Sequence, residues 1–309
     1  MNILITGSEG VIGRRLYSQD WLLYPHVDAV YTCDRLPADR PRHTIADITH
    51  PETLRRAFTA SKPSLVFHLA ASVGRRASEA WASVALRANV EGTQNVVDLC
   101  IEYGARLLYV STSEVYGDAF HDEVPVTEAV PCGHPLGIYG QSKGMGELVV
   151  ELAVNRHGLD AAIARPFMCY SEDEALSPYR SAIARMMRAI LRGEAITVHQ
   201  GAVRSWCYVD DMAEGLARLG LSECQGVYNV GRHEPMTLEE TAKLLVEETA
   251  HTAGIEIVEM PAGIYPVKHA SFDKIKRDIG WEAKIEMADG LRRVRAFHMP
   301  LYKRFRVRG

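Results

Sequence analysis

Cysteine is sparse and scattered. The six cysteines, at 33, 100, 132, 169, 207 and 224, include no C-x-x-C pair, which argues against a disulfide framework and a cysteine-based zinc site. The twelve histidines are equally dispersed and no H-E-x-x-H occurs, so metalloprotease chemistry has no foothold. No apolar run reaches the roughly 18 residues of a membrane helix. The opening MNILITG meets glycine at once, without a secretory-signal layout. Internal repeats and low-complexity linkers are also missing. Nor is there an excess of one charge: a net charge of −4 and a pI near 6.3 give no reason to expect nucleic acid or an anionic membrane as partner. The one local exception is the cationic tail YKRFRVRG (302–309), read as a solvated terminus. These absences leave a soluble, cytoplasmic protein of a reducing compartment as the expectation.

What is present is a chain of 309 residues, 47% hydrophobic and 24% charged, enough for a sizeable core. Short, wholly apolar runs alternate with helical patterns. NILIT (2–6), DAVYTC (28–33), SLVFHLA (64–70), RLLYVST (106–112) and DAAIARPF (160–167) read as buried strands. Helices are expected from Val11, over 51–60, over 85–105 and from about Tyr139 to Arg156. Such alternation predicts an α/β, Rossmann-type doubly wound parallel sheet. After residue 167 the rhythm loosens. A helix is expected over 177–194, a strand running into a helix over 206–220, a strand over 226–231 and a helix over 237–250. We therefore expect a dinucleotide domain over 1–169, with 196–232 returning to it, and a smaller C-terminal substrate-binding lobe from 170–195 and 233–309.

TGSEGVIG (6–13) places Gly7, Gly10 and Gly13 directly after the first strand and at the start of a helix. There the glycines make the turn, admit a pyrophosphate and let helix and strand pack closely. Asp34 ends the second strand about twenty residues further on, where a carboxylate can accept from adenosine ribose hydroxyls and disfavour a 2′-phosphate. A turn former is the other reading. Arg35 and the pair Arg14–Arg15 could accommodate such a phosphate, or be surface charges. Asp47 could reach the adenine or serve a helix N-terminus.

IYGQSKGMGE (138–147) puts Tyr139 and Lys143 four residues apart, on one face if helical. A free tyrosine has a pKa near 10, and a nearby cation lowers it toward neutrality, which makes a general base. The upstream STSEVYG (111–117) supplies hydroxyls and a lone carboxylate, Glu114, at a strand end.

The order TGSEGVIG, HLAA (68–71), Asn89, STSEVYG, Tyr139–Lys143 and RPF (165–167) resembles the extended short-chain dehydrogenase/reductase family, in its branch of nucleotide-sugar epimerases, dehydratases and decarboxylases. The resemblance implies a tightly bound, recycled NAD, a nucleotide-diphosphate sugar as substrate and a homodimer built from two helices of each subunit. It places the cofactor against Gly7, Gly10, Val11, Ile12 and Gly13, then Asp34, Arg35, Asp47 and Ile48. Leu69, Ala70, Ala71, Asn89, Tyr139, Lys143 and Pro166 complete that surface. Tyr139 would take the proton of the sugar 4-hydroxyl as hydride leaves C4, Lys143 would lower its pKa, and Thr112 would bond the reacting hydroxyl. Ser113, Met168 and Arg204 fall at substrate-binding positions, Arg204 as a clamp on the diphosphate.

Two departures bear on the reaction. Ser113 stands where dehydratases carry an aspartate acid, which counts against 4,6-dehydration. Met168 stands where the family has an asparagine. Glu114 keeps three readings: an acid/base for epimerisation at C3 or C5, a group that positions a substrate carboxyl or water for decarboxylation, or a structural carboxylate. Decarboxylases resemble STSEVYG most closely but have a longer segment before the tyrosine. The short CGHPLGIYGQSK (132–143) favours an epimerase, with a UDP-glucuronate-type decarboxylase as the alternative. A simple reductase would release its cofactor each turnover, and a dinucleotide sensor would lack the tyrosine–lysine pair.

Overall fold

The computed structural model describes residues 1–306 except Glu123, Pro178, Ala262 and Gly263; the end of the cationic tail, 307–309, lies outside the described residues. Seven parallel strands form the central sheet. In spatial order they are Gly226–Val230, Ala161–Pro166, Arg106–Val110, Leu65–His68, Asn2–Thr6, Ala29–Asp34 and His43–Ile45. The five strands anticipated in the first half are all there, with their ends displaced by at most two residues. His43–Ile45 was not anticipated, because a three-residue, partly exposed edge strand carries no apolar run.

Inner strands are buried on both faces, Leu65–His68 without interruption, which is why they read as continuous hydrophobic runs. One face packs against the helices Pro51–Ser61, Gly92–Tyr103 and Ile138–His157 through Leu4, Phe58, Val97, Tyr109 and Val150. The other packs against Val11–Tyr17 and Val209–Leu221 through Ile5, Leu16, Phe67, Met212 and Leu216. Strand order reverses between Asn2–Thr6 and Leu65–His68, which pair with Thr6 beside His68. A crevice at the carboxyl ends of strands at such a switch point is the usual ligand site of this architecture.

The helix expected over 85–105 is interrupted. Ala82–Leu86 passes through a π-helical stretch, Arg87–Glu91, into Gly92–Tyr103. The helix expected over 177–194 begins only at Ala182. Ser181 caps it by accepting from the Ala184 amide, while Glu174 accepts from the Ser181 amide and hydroxyl. Leu238–Thr249 opens with a capping box between Thr237 and Glu240. These two helices and Met287–Arg306 share a separate core of Ile183, Met187, Leu245 and Leu291, so the Met186–Met187 pair is packing. Residues 196–205 pair outside the central sheet. Ile196–His199 pairs with Ile255–Val258, and Val203–Ser205 with Pro235–Thr237 and Val267–Lys268. Return to the main sheet starts with the helix Val209–Leu221 and the strand Gly226–Val230.

Candidate active site

The glycine turn is built around missing side chains. Gly7 has φ 71°, and a Cβ there would lie 2.5 Å from the Ala70 amide nitrogen. A Cβ on Gly13 would lie 2.2 Å from the Gly7 carbonyl oxygen. The turn is thus pressed against the strand end at Leu69–Ala70, and two adjoining clefts of about 440 and 400 Å³ open along it. The first is lined by Gly10, Asp34, Arg35, Asp47, Ile48 and Ala70, the second by Gly10, Val11, Ile12, Ala71, Lys143 and Pro166. Their continuity past Gly7, Gly10, Leu69 and Ala71 fits an extended dinucleotide, so these residues suit NAD.

Asp34 is fixed by its neighbours: one carboxylate oxygen accepts from the Glu9 amide at 2.9 Å and the other from the Leu36 amide at 3.0 Å. Asp47 accepts from the amide and hydroxyl of Thr49 and faces the cleft. It is not the cap of the following helix, whose N-cap is His50. Arg14 and Arg15, considered for a 2′-phosphate, are committed elsewhere. Arg14 bonds Asp173, and Arg15 pairs with Glu172 and Asp210. Arg35 alone of the three arginines lines the adenosine end.

The helix Ile138–His157 carries Tyr139 and Lys143 one turn apart, and both face the second cleft with Thr112 and Glu114. Thr112 and Tyr139 face each other in this cleft. Burial pushes Tyr139 up to about 12; the nearby Thr112 opposes this and the Glu114 charge adds to it. The expectation that Lys143 lowers this tyrosine is therefore not met by the protein alone. Lys143 Nζ lies 4.1 Å from the centre of the Tyr109 ring instead. Burial brings Lys143 down to about 7, against the pull of Glu147 one turn further along. A bound nicotinamide cation is the charge that would stabilise the phenolate here.

Glu114 lies in a short 3₁₀ turn, Ser113–Tyr116, whose N-cap is Thr112. That turn sends Thr112 and Glu114 to the cleft and Ser113 into the core, where it is fully buried and its hydroxyl has no partner among the described residues. Ser113 is thus not brought to the site. Glu114 is not a free acid: it accepts from Lys268 Nζ at 2.5 Å. Arg204 is buried nearby and donates to the carbonyls of Val203 and Pro266. Burial holds Arg204 down at about 10, with Glu114 opposing that fall and Arg185 adding to it. Met168 lines the cleft. Asn89 does not reach it. Its amide sits in the π-helical stretch and ties Ser72 to Ser142 of the tyrosine helix, so it braces the site.

Two features escaped the sequence. Lys268, in the short strand Val267–Lys268, joins Ile264 and Tyr265 far along the chain to close a small pocket against Glu114, Tyr139 and Gly137; no local pattern announces it. Glu147 and Arg165 form a buried ion pair behind Lys143, at 3.0 and 2.7 Å. The i, i+4, i+8 spacing of Tyr139, Lys143 and Glu147 was the available signal.

Comparison with known proteins agrees with this geometry. The NAD dependent epimerase/dehydratase family matches residues 3–231. UDP-glucuronic acid decarboxylase 6 of Arabidopsis thaliana is 31% identical over 302 residues, covering 94% of this chain and 87% of that protein. UDP-glucose 4-epimerase of Thermotoga maritima, solved with UDP-glucose, superposes with a TM-score of 0.87 at 26% identity, covering 97% of this chain and all of the other. The Thermus thermophilus UDP-glucose 4-epimerase complex with NAD gives 0.85 at 25% identity, over 96% and 99% of the two chains. The chain belongs to the NAD-dependent epimerase/dehydratase family of extended short-chain dehydrogenases/reductases.

Proposed function

We propose that the protein is an NAD-dependent nucleotide-sugar epimerase that works through a transient 4-ketone. The observation that carries this reading is that Thr112, Tyr139 and Lys143 stand together in one cleft with the glycine turn. When bound, NAD supplies a reversible hydride acceptor. Thr112 orients the sugar 4-hydroxyl, and Tyr139 removes its proton and later returns it. Lys143, one turn along the same helix, faces the cleft beside Tyr139 and holds the ribose edge. The apolar wall of Phe167, Met168 and Val73 lets the keto sugar turn over with few hydrogen bonds to break.

The Glu114–Lys268 pair favours a second reading, decarboxylation of a nucleotide sugar acid. It presents one coupled carboxylate and ammonium to one side of the cleft, which suits delivery of a single proton to the carbanion left by carbon dioxide. One experiment separates the two: incubation of the NAD-loaded protein with a panel of UDP- and dTDP-sugars and their uronic acids, followed by mass spectrometry. An isomer of unchanged mass supports epimerisation, and loss of carbon dioxide supports the second reading. A panel returned untouched would sink both.

We also propose a homodimer. Met145, Leu148 and Leu152 form an exposed stripe on the tyrosine helix, beside exposed Val84 and Leu86 of the neighbouring one. Such a stripe fits a self-complementary two-helix contact, and light scattering in solution tests it.

A further inference from the structure

Segment 171–177, sequence SEDEALS, follows the strand Cys169–Tyr170 and leads toward the helix Ala182–Arg192. Within it, Glu174 lines the dinucleotide cleft. Cys169, Glu174, Tyr179 and Ser181 line that cleft opposite Gly10 and Ile12. On the far lip, a Cβ at Gly74 would stand 3.4 Å from the Tyr179 carbonyl oxygen. The acidic residues of the segment are held from the other side of the cleft. Arg14 Nε and Nη2 reach Asp173 at 3.2 and 2.9 Å. Arg15 pairs with Glu172 and, at 3.0 Å, with Asp210. Tyr208 donates to Glu172 as well, and Arg293 pairs with Asp210 at 2.8 Å. Both arginines belong to Val11–Tyr17, the helix that starts at the glycine turn. Ion pairs thus join the two sides of the cleft, with the cofactor surface beneath them.

We propose that segment 171–177 is an electrostatic strap over the dinucleotide cleft, held shut by Arg14 and Arg15, and that its opening governs how long NAD stays bound. The strap rests on the assignment of NAD to this cleft. The side chains of Arg14, Arg15, Glu172 and Asp173 are all partly exposed, so each pair is weak alone and sensitive to salt. Together they bias a segment that is covalently tethered at both ends, and dissolving them frees it to lift. Its position also explains why two arginines beside a phosphate-binding turn do not serve as a 2′-phosphate site: their charge is spent on the strap.

The test loads the protein with NAD, dilutes it into NAD-free buffer and measures NAD remaining on desalted protein over time. For the wild type, release accelerates as salt rises toward about 1 M, where screening reaches contact distances. The Arg14→Gln/Arg15→Gln variant releases NAD about tenfold faster at low salt, as the loss of two or three weak pairs implies, and its rate barely responds to salt. Arg14→Asp combined with Asp173→Arg restores slow release, because it rebuilds the pair with reversed sign. If the double-glutamine variant fails to fold, Arg14→Gln alone serves, since Arg14 does not share the Asp210 contact. A wild type that takes up NAD but releases it at the same rate as these variants, or without salt dependence, overturns the strap. A wild type that takes up no NAD overturns the cofactor assignment and the strap with it.

Discussion

Replacing Glu147 by glutamine probes the support behind the reacting groups. Glu147 is 1% exposed and Arg165 3%, so the pair is almost fully desolvated. It is doubly bonded, at 3.0 and 2.7 Å, and Arg165 also stacks 4.6 Å from the centre of the Tyr116 ring. Removing one charge of such a pair leaves the other buried and uncompensated, which costs about 3–5 kcal/mol. At roughly 2–3 °C per kcal/mol for a chain of this size, Glu147→Gln melts about 6–15 °C below the wild type. Its deficit also depends on pH. Glu147 stabilises Lys143 only while that lysine is charged, and Lys143 titrates in the folded protein near 7, below its ordinary 10.5. The lysine component of the deficit is therefore full below pH about 7 and fades as pH rises through it. Thermal unfolding followed by circular dichroism at pH 6 and 8.5 reads both effects. The paired substitution Glu147→Leu with Arg165→Met recovers most of the loss, since an apolar replacement of a whole buried pair is close to neutral. A Glu147→Gln variant melting within about 2 °C of the wild type at both pH values would refute the reasoning, and so would a double variant no better than the single one.

Tyr139 in the NAD-free protein ionises above the ordinary tyrosine range, near 12; ultraviolet difference titration of wild type against Tyr139→Phe measures this, and a midpoint near neutrality would contradict it. Saturating NAD moves the same midpoint down, because it adds a cation beside the phenolate. Gly13→Ala forces a Cβ to 2.2 Å from the Gly7 carbonyl oxygen, so NAD affinity measured by calorimetry falls at least about tenfold, and unchanged affinity would show that the turn gives way freely. Lys268→Met leaves Glu114 without its ion pair, and turnover on the substrate found in the panel drops about tenfold or more, whereas Lys268→Arg keeps the charge and much of the rate. Equal rates for the two Lys268 variants would mean that the pair does not act on the reacting sugar.

The sheet was legible because its inner strands are buried on both faces. Ile3, Leu4 and Ile5, or Leu65, Val66 and Phe67, have no solvent side, so their chemistry is uniform and their runs end where glycine or a polar cap begins. The same reasoning missed His43–Ile45, where an edge strand of three partly exposed residues has no burial to write into its sequence. The helix ending at Arg192 was also expected to start too early, since its start is set by the Ser181 cap, whose hydroxyl donates to Glu174, and periodicity does not contain that bond.

The site divides along the same line. Tyr139, Lys143 and the glycines announce themselves because helix and turn geometry fix their mutual placement at short range. Ser113 misled for a related reason: alternation in an extended strand would put it on a definite face, but the chain has already entered a 3₁₀ turn that sends Thr112 and Glu114 to the cleft and Ser113 into the core. The residue that changes the chemical meaning of Glu114 is Lys268, a hundred and fifty-four positions away. A carboxylate judged from its neighbours in the chain is read as a free acid or a backbone acceptor, whereas the fold sets a buried ammonium against it.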